Sequence, residues 1–186
     1  RSDSGSSSLI PVFPTWDVVI VTTCSAYEGS VRTSWYPVIA VLNTDSPTRV
    51  VVAGAPDLGG GPLADQARVL RERHDWLRSA VCNEPRGHEA MVGALLCEPH
   101  EADCVCGVIF FNNVSTLNMC IHGTIGLAVT LAHLGRIGAG THRIDTPVGV
   151  VAATLREDGS VEVANVPSRR KAAKVPVEVP GWGTVH

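Results

Sequence analysis

The sequence predicts an α/β or α+β chain, a mixed sheet with two main helices. Three observations predict it. Short apolar runs rich in Val and Ile recur between Gly and Pro punctuation, which is strand patterning. A single long amphipathic stretch follows Gly59-Gly60-Gly61-Pro62. A second apolar stretch ends against Gly135, where a helix would stop.

The elements follow in order. Residues 1–8 form a Ser/Gly-rich tail and read as disordered or left from processing. Asp17–Thr22 is a strand inside an otherwise aperiodic segment, and residues 1–36 have no assigned role. From Pro37 the pattern is regular, so 37–186 are taken as one folded unit. Val38–Leu42 and Arg49–Ala53 are buried strands. Leu63–Val81 is one helix, with Leu63, Ala67, Leu70, His74 and Leu77 on its apolar face and Arg68, Arg71, Glu72, Arg73 and Arg78 on a solvated one. Met91–Leu96 and Val105–Phe111 are strands, and a helix runs from about Gly123 to Leu134. Val148–Leu155 and Val161–Val166 alternate around Glu157-Asp158-Gly159 and form a β-hairpin. Pro167, Pro176 and Pro180 then loosen the chain.

Composition narrows function. The hydrophobic share of 45% and charged share of 18% describe a globular chain, and a net charge of −3 argues against nucleic-acid or membrane-surface partners. The longest apolar run, Val18–Thr22, is far too short to span a bilayer. No secretory leader opens the chain, so the six cysteines are read as free thiols in a reducing, cytoplasmic compartment. The first residue is Arg, not Met, which reads as a fragment or a processed product.

One segment carries chemistry. A strand ends near Phe111, a polar loop follows, and a helix begins just after Cys120. A thiol there meets the free N–H groups and the positive dipole end of the helix, which favour thiolate. The same amides can hold a carboxylate. A thiolate beside a bound carboxylate suits removal of the α-proton of an amino or imino acid, with no metal and no cofactor. His122 can tune the thiol. The plain alternative is a small buried cysteine beside a helix start.

Other clusters have blander readings. Cys97, His100, Cys104, Cys106, Cys120 and His122 do not keep the spacing of a zinc site, and Cys104 and Cys106 share one face of a strand. His74 is a structural histidine, and His133 and His142 are surface residues. The arginine-rich helix face is solvated, because no aromatic residues interleave it.

Met119-Cys-Ile-His-Gly-Thr-Ile-Gly126 resembles the M-C-G-H-G-T-I-G signature of the proline racemase and hydroxyproline epimerase family. Pro47-Thr-Arg49, Pro56-Asp-Leu-Gly-Gly-Gly61, His74-Asp-Trp76, Glu84-Pro-Arg-Gly-His88, Met91-Val-Gly-Ala94, Gly107–Asn113, His142–Gly149 and Asn165-Val-Pro-Ser168 continue the resemblance in order. It is strongest toward the 4-hydroxyproline epimerase branch. It implies a diaminopimelate epimerase-like half, a curved mixed sheet around a central helix, with the second half missing. It implies Cys120 as one of two acid/base cysteines. It also implies substrate contacts from Ile121, His122, Gly123 and His88. The ligand would be an imino acid, 4-hydroxyproline or proline, and a homodimer is the expected assembly.

The departures are specific. Ala40–Arg49 lacks the His and Glu of the family's first motif, Ile121 stands where the family has Gly, and no D-R-S-P-C-G-T-G-T segment is present. The chain by itself is therefore expected to be inactive. The alternatives are a diverged non-catalytic paralogue, a proline racemase or a trans-3-hydroxyproline dehydratase.

Overall fold

The computed structural model describes residues 18–23, 36–43, 46–85, 87–167, 170 and 172–185. The reading of residues 1–8 as a tail, and Asp17 and Cys24, lie outside them. Strands β1 (Val18–Thr23), β2 (Tyr36–Asn43), β3 (Ser46–Val51), β4 (Val92–Cys97), β5 (Cys106–Phe111), β6 (Thr116–Leu117), β7 (Gly140–Thr146), β8 (Gly149–Leu155) and β9 (Val161–Ala164) form one nine-stranded sheet. Its order is β1-β2-β3-β4-β5-β7-β8-β9, with β6 folded back on β5. The sheet is mixed, with β3–β4 and β5–β7 parallel and the other neighbours antiparallel.

Helix α3 (Ile121–His133) packs against β2, β3 and β4 and also against β8 and β9. Strands from both sides of the sheet can reach one helix only if the sheet curls around it. The central-helix expectation is therefore met. Helices α1 (Leu63–Arg73) and α2 (Asp75–Cys82) cover the other face. Alternation along the strands sorts the core accordingly. Val50, Val92, Ala94, Val108 and Phe110 join Leu127, Ala128 and Leu131 of α3. Val51, Leu95, Ile109 and Phe111 join Leu70, Leu77 and Val81 of the outer helices. Covered on both faces, β5 is buried along its whole length, as a continuous apolar run rather than an alternating one.

The ends of α3 have clear causes. Gly135 stops it at φ 68, with Gly135 N–H donating to the Ala132 carbonyl and Arg136 N–H to the Leu131 carbonyl. This paired closure needs a left-handed residue just past the helix, and glycine adopts that conformation without strain. The β8–β9 hairpin likewise turns at Gly159, φ 83.

Several expectations need correction. The single helix 63–81 is two helices, broken at His74, whose backbone (φ −131, ψ 29) is not helical. His74 is thus a junction residue, half-buried, and not part of a continuous apolar face. Arg78 is not on a solvated face. It is only 9% exposed and makes directed bonds described below. Cys104 precedes β5, so it does not share a strand with buried Cys106. His142 is half-buried, with Nε2 in contact with the Gly138 carbonyl oxygen at 2.7 Å. Strand β7 and the exposed hairpin β10 (Val177–Val179) and β11 (Gly183–Val185) were not foreseen. Strand β1, inside the segment left unassigned, pairs with β2.

Candidate active site

Cys120 is the N-cap of α3, with extended backbone (φ −146, ψ 111). Its Sγ accepts the Gly123 N–H at 3.3 Å, and its carbonyl accepts Thr124 N–H at 2.9 Å and the Thr124 hydroxyl at 2.8 Å. The sulfur therefore occupies the position of a capping oxygen. The amides of Ile121 and His122 begin the helix and have no intrahelical acceptor.

A tight connection delivers the thiol to this point. After β5, the Asn112 side chain accepts the Val114 and Ser115 amides, both at 2.9 Å, and Asn112 N–H donates to the Ser115 carbonyl. Strand β6 then runs back along β5, pairing Thr116 with Phe111 and Leu117 with Phe110. Leu117, Met119 and Cys120 pack against the inner core. Met119 Sδ also lies 3.6 Å from the Thr124 hydroxyl oxygen.

The neighbours of Cys120 differ in character. Ile121 is 46% exposed, so its branched side chain stands at the mouth of the helix. His122 is half-buried, and its Nε2 is buried without a hydrogen-bond partner among the described residues. Gly123 is buried, and a Cβ there would lie 2.7 Å from the Phe110 ring. Its glycine is thus required by packing, and its amide is already committed to the sulfur.

His88 stands apart from this cluster. It is exposed, and its Nδ1 accepts the Ala90 N–H at 3.2 Å. It lines a cavity of about 470 Å³ with Cys82, Asn83, Glu84, Glu89 and Asn113, and Cys120 is not among the lining residues. Asn113, in the turn that leads to Cys120, is the link between the two regions.

The remaining described cysteines sit in different surroundings. Burial pushes the thiol of Cys82 up to about 11 and those of Cys97 and Cys106 up to about 12. Desolvation also raises Cys104. Those thiols stay protonated near neutrality, where a protonated thiol is a poor base or nucleophile. Among the described residues no group of three His, Cys, Asp or Glu side chains is arranged to hold a metal ion. No helix among them is long and apolar enough to cross a membrane.

Sequence reasoning missed Arg78 and Asp75. The spacing Asp75-x-x-Arg78 was visible, but the reading of one unbroken helix put Arg78 among solvated arginines.

Comparison with known proteins places these features in a wider group. A family model described as proline racemase matches residues 38–186. The chain is 60% identical over 139 residues to a protein of Pseudomonas aeruginosa named 4-hydroxyproline 2-epimerase, covering 75% of this chain and 44% of that one. It is 59% identical over 140 residues to a protein of the same name from Pseudomonas putida, covering 75% and 46%. The chain spans about half the length of the curated relatives it matches. In fold it is similar to a hydroxyproline epimerase from Agrobacterium vitis, solved with bound trans-4-hydroxy-L-proline. The TM-score is 0.67 and the identity 22%, over 74% of this chain and 43% of that one. It is also similar to a probable proline racemase from Agrobacterium radiobacter, solved with bound carbonate (TM-score 0.66, 24% identity, covering 74% and 44%).

Proposed function

The chain belongs to the proline racemase family, and on that premise we propose that it is part of an enzyme that epimerises 4-hydroxyproline at C2. The reaction would interconvert trans-4-hydroxy-L-proline and cis-4-hydroxy-D-proline without a cofactor. The observation that carries this reading is the 60% identity to a protein named for that reaction.

In this proposal the amides of Ile121 and His122 hold the substrate carboxylate at the mouth of α3. Cys120, as thiolate, takes the Cα proton from one face of the ring. The electron pair left on Cα spreads into the carboxylate, where the amides and the helix end stabilise the added charge. An acid on the opposite face then returns a proton to Cα, which inverts the centre. No electrons leave the substrate, so no redox partner enters. Gly123 N–H steadies the sulfur at 3.3 Å. His122, whose buried Nε2 has no hydrogen-bond partner among the described residues, is assigned as a ligand contact. His88 is assigned to the wall of the cavity beside Asn113. The opposing acid, a cysteine by family resemblance, comes from outside the described residues. A working thiol base needs a reducing compartment, so the proposal includes a cytoplasmic site of action.

A second reading, a diverged protein that binds without turnover, is favoured by one observation. Ile121 places a branched, 46% exposed side chain where the family has glycine.

Chiral chromatography of trans-4-hydroxy-L-proline separates the readings. The chain is joined to the remaining portion of the Pseudomonas aeruginosa relative and assayed with and without Cys120→Ser. Formation of the cis-D epimer that disappears in Cys120→Ser supports the epimerase. A folded chimera that binds the imino acid but forms no epimer supports the second reading.

A further inference from the structure

Arg78 lies in the outer helix α2, on the face of the sheet opposite α3, yet its bonds reach the segment that carries Cys120. Its Nε and Nη2 grip both carboxylate oxygens of Asp75 at 2.6 and 2.7 Å. Its Nη1 donates to the carbonyls of Asn113 at 2.5 Å and Asn112 at 3.3 Å. The Arg78 side chain is nearly buried, while Asp75 is half exposed, so water reaches the carboxylate more readily than the guanidinium. The planar fork explains the residue type. One edge is held by Asp75 while the remaining donors point at two consecutive carbonyls, an arrangement that a lysine ammonium cannot reproduce.

Those carbonyls belong to the turn between β5 and β6, closed internally by Asn112. Beyond it, β6 is only Thr116–Leu117, and Asn118 and Met119 then lead to Cys120. A strand of two residues has little holding power of its own. The turn must be fixed from outside if the sulfur is to stay against Gly123 N–H. The far end of α2 is fixed as well, because Arg49 of β3 donates to the Val81 carbonyl at 2.7 Å.

We propose that Arg78, oriented by Asp75, is a positioning residue for Cys120, holding the 112–115 turn so that the thiol stays seated at the N-terminus of α3. The inference rests on the reading of Cys120 as the acid/base group, but its test does not depend on turnover.

The test uses the amide of Gly123, which reports directly on the seated sulfur. Hydrogen exchange is followed by NMR in the parent chain, Arg78→Met and Arg78→Lys. Gly159, whose amide closes the β8–β9 turn on the Arg156 carbonyl, serves as the distant control. Arg78→Met is expected to speed Gly123 exchange roughly tenfold relative to Gly159, and Arg78→Lys, which keeps the charge but not the fork, about threefold. Acceleration at Val114 and Ser115 with Gly123 unchanged would overturn the proposal, because Arg78 would then anchor the turn alone. Should Arg78→Met fail to fold, the lysine variant decides by the same comparison. The acid/base reading is checked separately by alkylating the parent chain. If Cys120 is unreactive there, that reading fails whatever Gly123 shows.

Discussion

Gly126 of α3 lies directly against Thr48 of β3, so that a Cβ at 126 would sit 2.7 Å from the Thr48 Cβ and 2.8 Å from its Oγ1. Thr48 is itself buried, so neither side can yield into solvent. This contact sets how closely the central helix approaches the sheet. Gly126→Ala is expected to destabilise the fold by about 1–3 kcal/mol, the usual cost of overpacking a core. Denaturant unfolding measures it. A variant as stable as the parent would mean that α3 can shift away from β3 at little cost.

Alkylation should be selective among the described cysteines. Burial holds the thiols of Cys82, Cys97 and Cys106 protonated, and Cys82 and Cys106 are also covered, whereas Cys120 is half-buried at a helix end. Limiting iodoacetamide near pH 8 is expected to modify Cys120 well before those three, as read by peptide mapping. Faster labelling of Cys97 than of Cys120 would contradict the assignment of the accessible thiol.

The pair Asp75–Arg78 should make a small contribution to acid stability. The hydrogen bonds from Arg78, and then its charge, hold the Asp75 carboxyl below its ordinary value. The native state therefore binds this proton less readily than the unfolded chain. Its stabilisation is present above about pH 3.9 and is lost as pH falls through the lower native value. Asp75 is half exposed, so the effect is expected to stay within about 1 kcal/mol. Asp75→Asn should flatten the acid limb of a stability–pH curve and leave the Arg78–carbonyl bonds able to form. An unchanged acid limb would assign the acid sensitivity to other carboxylates.

Ile121→Gly should improve ligand approach. The side chain is exposed at the first turn, beside the amides proposed to hold the carboxylate. Removing it is expected to tighten binding of pyrrole-2-carboxylate, a planar mimic of the deprotonated intermediate, by about 1–2 kcal/mol, comparable to other relief of crowding. Glycine at this helix position should cost about 0.5–1 kcal/mol of stability. Calorimetric titration and unfolding curves separate the two. Weaker binding by a folded variant would show that Ile121 does not crowd the ligand.

Turnover by the 186 residues alone is expected to be undetectable. Inversion requires an acid on the face opposite Cys120, and the proposal draws it from elsewhere. Optical rotation of 4-hydroxyproline incubated with the chain checks this. Activity that vanishes in Cys120→Ser would reveal a second base within the chain.

The sequence by itself determined β1 to β5, β8 and β9, the start and stop of α3 and the place of Cys120 at its head. These depend on local periodicity, on Gly135 and on the motif around Cys120, all of which act over a few residues. The tertiary structure alone decided the rest. The break at His74 leaves no local mark, since no proline or glycine interrupts Leu63–Cys82. Arg78 looked solvated because its partners, the carbonyls of Asn112 and Asn113, are 34 and 35 residues away. Strand β7 alternates polar and apolar side chains too weakly to be read, and parallel pairing with β5 gives it a place. The packing reason for glycine at 123, the Phe110 ring pressed against it, is likewise invisible in the local sequence. Periodicity reports which face of an element is buried, whereas a directed bond to a distant carbonyl or a ring pressed on a glycine exists only once the chain has folded.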